Sequence, residues 1–243
     1  MITVQLCGGL GNQMFQYAAA KALAVHLDDD IALDVALCLK NPDRPFTLKQ
    51  FPISPDLLKL RWDTIKFLQV SGKTFREHSF EYDPRIWDCK RGTYLQGYFQ
   101  SEKYFNRIEP LIRKDFMGKF PEPGNGENSV AVHIRRGDYV GNPTYPVLSR
   151  EYYRKAMDII ESRVDNPVYH TFSDDPRWST GCSEFEDLMA MSRCKHHIIA
   201  NSSFSWWGAW LANNPKKIVI APKTWFTDGR STKDLIPDEW VRV

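Results

Sequence analysis

The chain has 243 residues, 42% of them apolar and 26% charged, with a formal net charge of +2. That length suits one large domain or two small ones, and the composition is ordinary for a soluble globular protein. The near balance of charge excludes a broad nucleic-acid or anionic-membrane footprint, so any bound anion must be met by a local cluster.

ITVQLCGG (2–9) reads as a buried strand entering a glycine turn, and GLGNQ (9–13) as the turn itself. MFQYAAAKALAVHL (14–27) is Ala-rich, strongly helical and apolar on most faces, as in a helix packed on several sides. IALDVAL (31–37) reads as a second strand. Strand, Gly turn, helix and strand make a βαβ unit and hence a parallel sheet. NPDRP (41–45) and FPISP (51–55) are loops, DLLKLRWDTIKFL (56–68) fits a helix, TYLQGYFQ (93–100) a strand and EKYFNRIEPLIRKDF (102–116) a helix. PEPGNGENS (121–129) has two Pro, two Gly and no apolar residue, which places a domain boundary after residue 125.

The second half, 126–243, repeats the α/β rhythm. SVAVHI (129–134) is a strand, LSREYYRKAMDIIESR (148–163) a helix with Ser149 as its N-cap, and PVYHTF (167–172) a strand running into Ser173, Asp174 and Asp175. HHIIA (196–200) is a strand followed by NSSFS and a helix over WWGAWLA, and KKIVIA ahead of Pro222 is a last strand. Ligands in open parallel sheets bind beyond the carboxyl ends of the strands. HIRRGDY, FSDD and ANSSFS therefore converge on one crevice.

The chemistry-bearing residues sit in those strand ends. GGLGNQ (8–13) has Met14 where a dinucleotide fingerprint needs its last Gly, although Asp34 stands about twenty residues on, as a ribose-binding acid would. An NAD-dependent oxidoreductase is thus a remote alternative to close backbone approach to some other ligand, with Asn12 offering its amide. In HIRRGD (133–138), Arg135 and Arg136 can grip diphosphate oxygens bidentately. The RGD tripeptide within it (136–138) also occurs in secreted adhesive proteins. Asp174 and Asp175 are adjacent rather than spaced as DxD, so they suit the N–H groups of a base or the hydroxyls of a ribose, or a helix cap, better than a metal. Ser202, Ser203 and Ser205 stand at a helix start, where free N–H groups bind anions. Trp206, Trp207 and Trp210 read as core before platform, and His196 and His197 as packed strand residues.

Cys7, Cys38, Cys89, Cys182 and Cys194 are odd in number and lack CxxC spacing, which argues against a disulfide framework or zinc site and for a reducing compartment. The opening MITVQLCGG is not a signal peptide, and no stretch reaches about 18 uninterrupted apolar residues. The expectation is a cytoplasmic protein, or a soluble fragment of a larger one.

Six segments together resemble glycosyltransferase family 11, the α-1,2-fucosyltransferases: GGLGNQMFQYAAAKALA, YLQGYFQSEKYF, HIRRGDYV, FSDD, DLMAMSRCKHHIIANSSFSWWGAWL and KIVIAPKTWF. Together they reach from Gly8 to Phe226. The resemblance implies a GT-B-like α/β fold of two facing Rossmann-like domains, 1–125 on the acceptor side and 126–243 binding the donor nucleotide. It implies GDP-fucose as donor, or a related 6-deoxysugar nucleotide, inversion at the anomeric carbon, no cofactor and no metal. The partners it implies are a sugar nucleotide and a glycan ending in a β-galactoside. No nucleic acid is expected, and a lipid-linked acceptor would bring peripheral contact with the inner membrane face. On this resemblance His133, Arg135, Arg136, Ser173, Asp174, Asp175, Asn201, Ser202, Ser203 and Phe204 are expected at the donor. Asn12 and Gln13 are expected across the cleft near fucose and acceptor, with Trp207 on the acceptor side. Asp138, Arg135 and Asn12 are the catalytic candidates, Asp138 as the base for the acceptor hydroxyl. One departure stands out: only STGCSEFE (179–186) lies where the family has a longer stretch with another strand, which leaves the sheet order of the second domain open.

Overall fold

ITVQ and IALD carry β-branched or aliphatic residues on both faces, the pattern of a strand covered on both sides. In the computed structural model, which describes residues 1–53, 73–117, 126, 128–179 and 181–243, they form β1 (Ile2–Gln5) and β2 (Ile31–Asp34), paired in parallel. Between them runs α1 (Leu10–Leu27), buried on most of its surface. With β3 (Thr74–Arg76) and β4 (Tyr94–Gln96) they complete a parallel sheet of order β2-β1-β4-β3. The helix expected over 56–68 lies outside the described residues, as does most of the linker.

Several boundaries differ from expectation, three of them for a plain local reason. α1 begins at Leu10 rather than Met14, because Gly9 is an extended N-cap whose carbonyl accepts the N–H groups of Asn12 and Gln13 at 3.0 and 3.1 Å. GLGNQ is therefore the first helical turn. IALDVAL stops being a strand at Asp34, whose Oδ1 accepts from the Ala36 N–H at 2.9 Å and starts the short α2 (Ala36–Lys40). In 102–116, Pro110 has no N–H and fits only the first turn of a helix. Two 3-10 turns precede it, and α3 spans Glu109–Met117.

The second sheet is all parallel, with order β6-β5-β7-β8-β9. Its strands are β5 (Ser129–Ile134), β6 (Val168–Ser173), β7 (His196–Ile198), β8 (Val219–Ala221) and β9 (Val241–Arg242). α4 (Arg150–Glu161) packs Tyr152, Ala156 and Ile160 on Val130, Val132 and Ile198, and the Ser149 Oγ accepts from the Tyr152 N–H as its cap. α6 (Ser203–Leu211) buries Trp206 and Trp207 completely. A large apolar side chain so buried contributes roughly 1.5–3 kcal/mol. Between β6 and α5 (Glu184–Ser192) the described residues hold no strand, so β6 is left as an edge strand and the sheet order is settled without the family's extra strand.

The chain forms two units, Met1–Lys119 with Ser231–Leu235, and Phe120–Arg230 with Ile236–Val243. All five cysteines are free thiols. Among the described residues no helix is long and apolar enough to cross a membrane.

Candidate functional site

β5 delivers the HIRRGD segment to the carboxyl edge of the second sheet, beside the end of β6. A pocket of about 240 Å³ opens there, lined in part by His133, Arg135, Ser173, Asp174 and Phe204. The crevice expected from the strand ends thus exists within the second unit. Ser179, Cys182, Glu184 and Asp187 line it too. These four were not singled out in the sequence. The signal was there: Ser183 and Glu186 have the spacing of a capping box, and the structure forms it at the start of α5.

Arg135 is held from two sides. One terminal nitrogen lies 2.5 Å from Asp138 Oδ1 and the other 3.1 Å from Asp174 Oδ2. The guanidinium also sits 5.2 Å from the centre of the Tyr139 ring, a cation–π contact. Its Nε is buried and has no partner. Asp174 takes the Arg136 backbone N–H as well, at 2.8 Å. Gly137 permits this: a Cβ there would strike Asp174 Oδ2. Arg136 pairs with Asp175 at 3.3 Å. Asp175 is also chelated by Arg177, at 3.0 and 2.6 Å, and this holds its carboxyl well below the usual carboxylate range. The two acids expected on a nucleoside are therefore engaged with the arginines, and the strand-end charges form an ion-pair lattice.

His133 is 3% exposed. Burial, with Arg135 nearby, pushes its pKa down to about 3, so the ring is neutral. It packs on Phe204 with centroids 5.4 Å apart, and its Nδ1 has no partner. Ser173 donates to the Ile134 carbonyl at 2.8 Å and accepts from the Asp175 N–H at 3.1 Å. Ser202 caps α6, accepting from the Phe204 N–H, and Ser203 opens that helix. Asn201 is almost wholly buried. Its amide N–H groups go to the carbonyls of Pro146 and Trp225, both at 3.1 Å, so it ties two loops together beneath the site.

In the first unit the structure separates the two amides of GGLGNQ. Asn12 is half-buried, and its Oδ1 accepts from Gln100 Nε2 at 2.7 Å. Gly8, at φ +75°, has no room for a Cβ because the Asn12 amide occupies that place. Gln13, expected on the acceptor, is placed inside the fold instead. It donates to the carbonyls of Gly8 and Pro45 at 2.9 and 2.8 Å and accepts from the Thr47 N–H at 3.0 Å. Trp207, expected on the same side, is likewise enclosed, its ring centroid 5.1 Å from that of Trp206 and 5.2 Å from that of Trp210. A ring with 0% exposure offers no face to a sugar. Asp34, the acid a dinucleotide reading needs, is 1% exposed and bound to the Tyr94 hydroxyl at 2.6 Å and the Ala36 N–H. Buried to that degree, it presents no edge to a ribose.

The family model for glycosyl transferase family 11 matches residues 1–243. The sequence is 32% identical to an alpha-1,2-colitosyltransferase of Escherichia coli, over 100% of this chain and 99% of that protein. It is also 32% identical to the O-antigen biosynthesis glycosyltransferase WbnK of the same organism, over 98% and 99%. Identity to the galactoside alpha-(1,2)-fucosyltransferase 2 of Rattus norvegicus is 25%, over 100% and 77%. The first of these alignments needs 288 positions for 243 residues, so that relative carries segments this chain lacks. Among solved structures, POFUT1 in complex with GDP-fucose aligns with a TM-score of 0.50 at 13% identity, over 90% of this chain and 97% of that one. That likeness is one of fold, α/β of the GT-B-like class.

Proposed function

Because the chain belongs to glycosyl transferase family 11, we propose that it moves L-fucose from GDP-fucose to the 2-hydroxyl of a terminal β-galactoside, with inversion at the anomeric carbon. The observation that carries this reading is the pocket in which Arg135, the neutral His133 and Phe204 meet an acidic wall. Arg135 and Arg136 serve the diphosphate. Charge grows on the departing GDP as the sugar–phosphate bond breaks, so cations held there before reaction lower the barrier. Arg135 reaches the site already aimed, because Asp138 and Asp174 fix its plane. The first turn of α6 supplies further N–H groups. Asp187 and Glu184 cannot face phosphate; carboxylates suit the N–H-rich edge of guanine. Asn12 serves the transfer step through its side-chain amide. As the new C–O bond forms, the sugar–phosphate bond breaks and GDP leaves with its electron pair, while the proton of the acceptor hydroxyl passes to a base, Asp138 or solvent.

With the cation role filled by side chains and a helix end, no metal enters this scheme. The acceptor is a glycan, and a lipid-linked one would hold the enzyme at the inner membrane face. A second reading, colitose in place of fucose, is supported by the 32% identity to the colitosyltransferase. A donor screen on lactose, read by mass spectrometry with and without EDTA, tests both. GDP-fucose should give a product one deoxyhexose heavier, and colitose a product one oxygen lighter than that. Absence of transfer from either donor refutes the reading, and loss of transfer in EDTA restored by Mn²⁺ refutes its metal-free form.

A further inference from the structure

Glu77 follows β3 at the edge of the first sheet and has no part in the scheme above. Its carboxylate accepts the Tyr98 N–H at 2.7 Å and the Phe99 N–H at 3.0 and 3.1 Å. These are two consecutive backbone donors in the turn that leaves β4. The turn is built around that carboxylate. Phe99 is held at φ +53°, a conformation a bulky side chain avoids. Gly97 has no room for a Cβ, because Glu77 and the Phe99 ring fill the space. Backbone strain of this kind persists only where the surroundings over-determine it. The turn ends in Gln100, whose side-chain amide donates to Asn12 Oδ1 at 2.7 Å. Its Gly97 carbonyl is caught by Gln16 of α1, at 3.1 Å.

We propose that Glu77 is a positioning residue for Asn12, fixing the Gly97–Gln100 turn so that the Gln100 amide aims the Asn12 side chain. The proposal rests on the reading that Asn12 serves the transfer step. The chain of contacts is continuous: carboxylate to turn backbone, turn to Gln100, Gln100 to Asn12. It is also economical. An amide at 77 would still accept the two N–H groups through its oxygen, whereas a methyl would leave both without their acceptor. Groups facing the carboxylate from the packed elements are the Tyr104 hydroxyl, the Cys7 thiol after β1 and the more distant Asp83. None of these three is a cation that would draw the carboxylate away from the turn.

The test compares Glu77→Ala, Glu77→Gln, Gln100→Ala and Asn12→Ala in the full chain, with kcat, acceptor KM and GDP Kd for each. A side chain misplaced by about 1 Å can cost on the order of 10²-fold in rate. The expected result is a kcat loss of about 10- to 100-fold in Glu77→Ala, Gln100→Ala and Asn12→Ala, with GDP Kd unchanged. Glu77→Gln should recover most of the turnover. Should Glu77→Ala fold poorly, as a lowered unfolding midpoint would reveal, Gln100→Ala and Glu77→Gln decide the matter. Full activity in Gln100→Ala alongside a crippled Asn12→Ala overturns the relay and leaves the role of Asn12 standing. Full activity in Asn12→Ala sinks the underlying reading instead. Equal losses in Glu77→Gln and Glu77→Ala overturn the positioning role, because the amide keeps the acceptor.

Discussion

Replacing Asp138 by Asn decides between two roles open to that carboxylate, and the structure sets the size of each. As a clamp, Asp138 contributes one ion pair to Arg135, at 2.5 Å, from a side chain that is 47% exposed. Such partly solvated pairs are worth about 0.2–1 kcal/mol, because water screens them. At 1.36 kcal/mol per decade this is no more than about fivefold. Arg135 also keeps its second anchor, Asp174, at 3.1 Å. The clamp therefore predicts GDP Kd and kcat shifting together, each by less than about fivefold. As a general base, Asp138 would be worth about 10²–10⁴-fold in turnover and nothing in GDP affinity. Calorimetric GDP titration and a GDP-release assay on the same preparation of Asp138→Asn separate the cases. We expect the small, parallel shift. A turnover loss of about 100-fold or more at unchanged GDP Kd would refute the reasoning and restore Asp138 as the base.

Arg135→Lys keeps the charge, but one ammonium cannot span both carboxylates and the diphosphate; forfeiting a charged contact costs roughly 1.5–3 kcal/mol, so GDP affinity should fall at least about tenfold, and an unchanged Kd would remove Arg135 from the phosphate. Gly137→Ala drives a methyl into Asp174 and should weaken GDP binding about tenfold by releasing the arginines, while the unfolding midpoint moves little; equal GDP affinity would mean Asp174 yields without consequence. His133 and His197 are both held near a pKa of about 3 by burial, while an unfolded histidine protonates below about 6.5. The fold excludes those protons, so stability is fully present above pH about 6.5 and declines as pH falls toward about 3, with a slope approaching two protons. Denaturant midpoints measured across that range check it, and a flat profile would contradict the neutral assignment.

Much of the second unit could be read in advance because its signals are local. β5 matches its expected span because Val130 and Val132 meet the core while the next residues are charged, and Ser149 is the cap its position suggested. The first unit was harder where polar residues do structural work. Asn12 and Gln13 look like turn residues beside three glycines, yet they lie in a helix whose cap is a bare glycine carbonyl. Asp34 looked like a ligand-binding acid because its hydroxyl partner, Tyr94, is 60 residues away in sequence. The arginine partners of the FSDD acids were hidden for the same reason: they come from the preceding strand end, and only the parallel register of β5 with β6 brings Ile134 level with Ser173. Glu77 gave no signal, since what marks it is three-dimensional: two backbone donors and a strained Phe99.

The indoles of α6 have an optical consequence. Trp206, Trp207 and Trp210 are separated by 5.1–6.1 Å between centroids, with Trp240 5.4 Å from Trp206. Chromophores this close, fixed at set angles, share their excited states. The second unit should therefore dominate the near-ultraviolet circular dichroism of the chain. Emission should be blue-shifted while the cluster is dry and move to the red as the unit opens, so melting of the second sheet can be followed by light alone, without substrate or label.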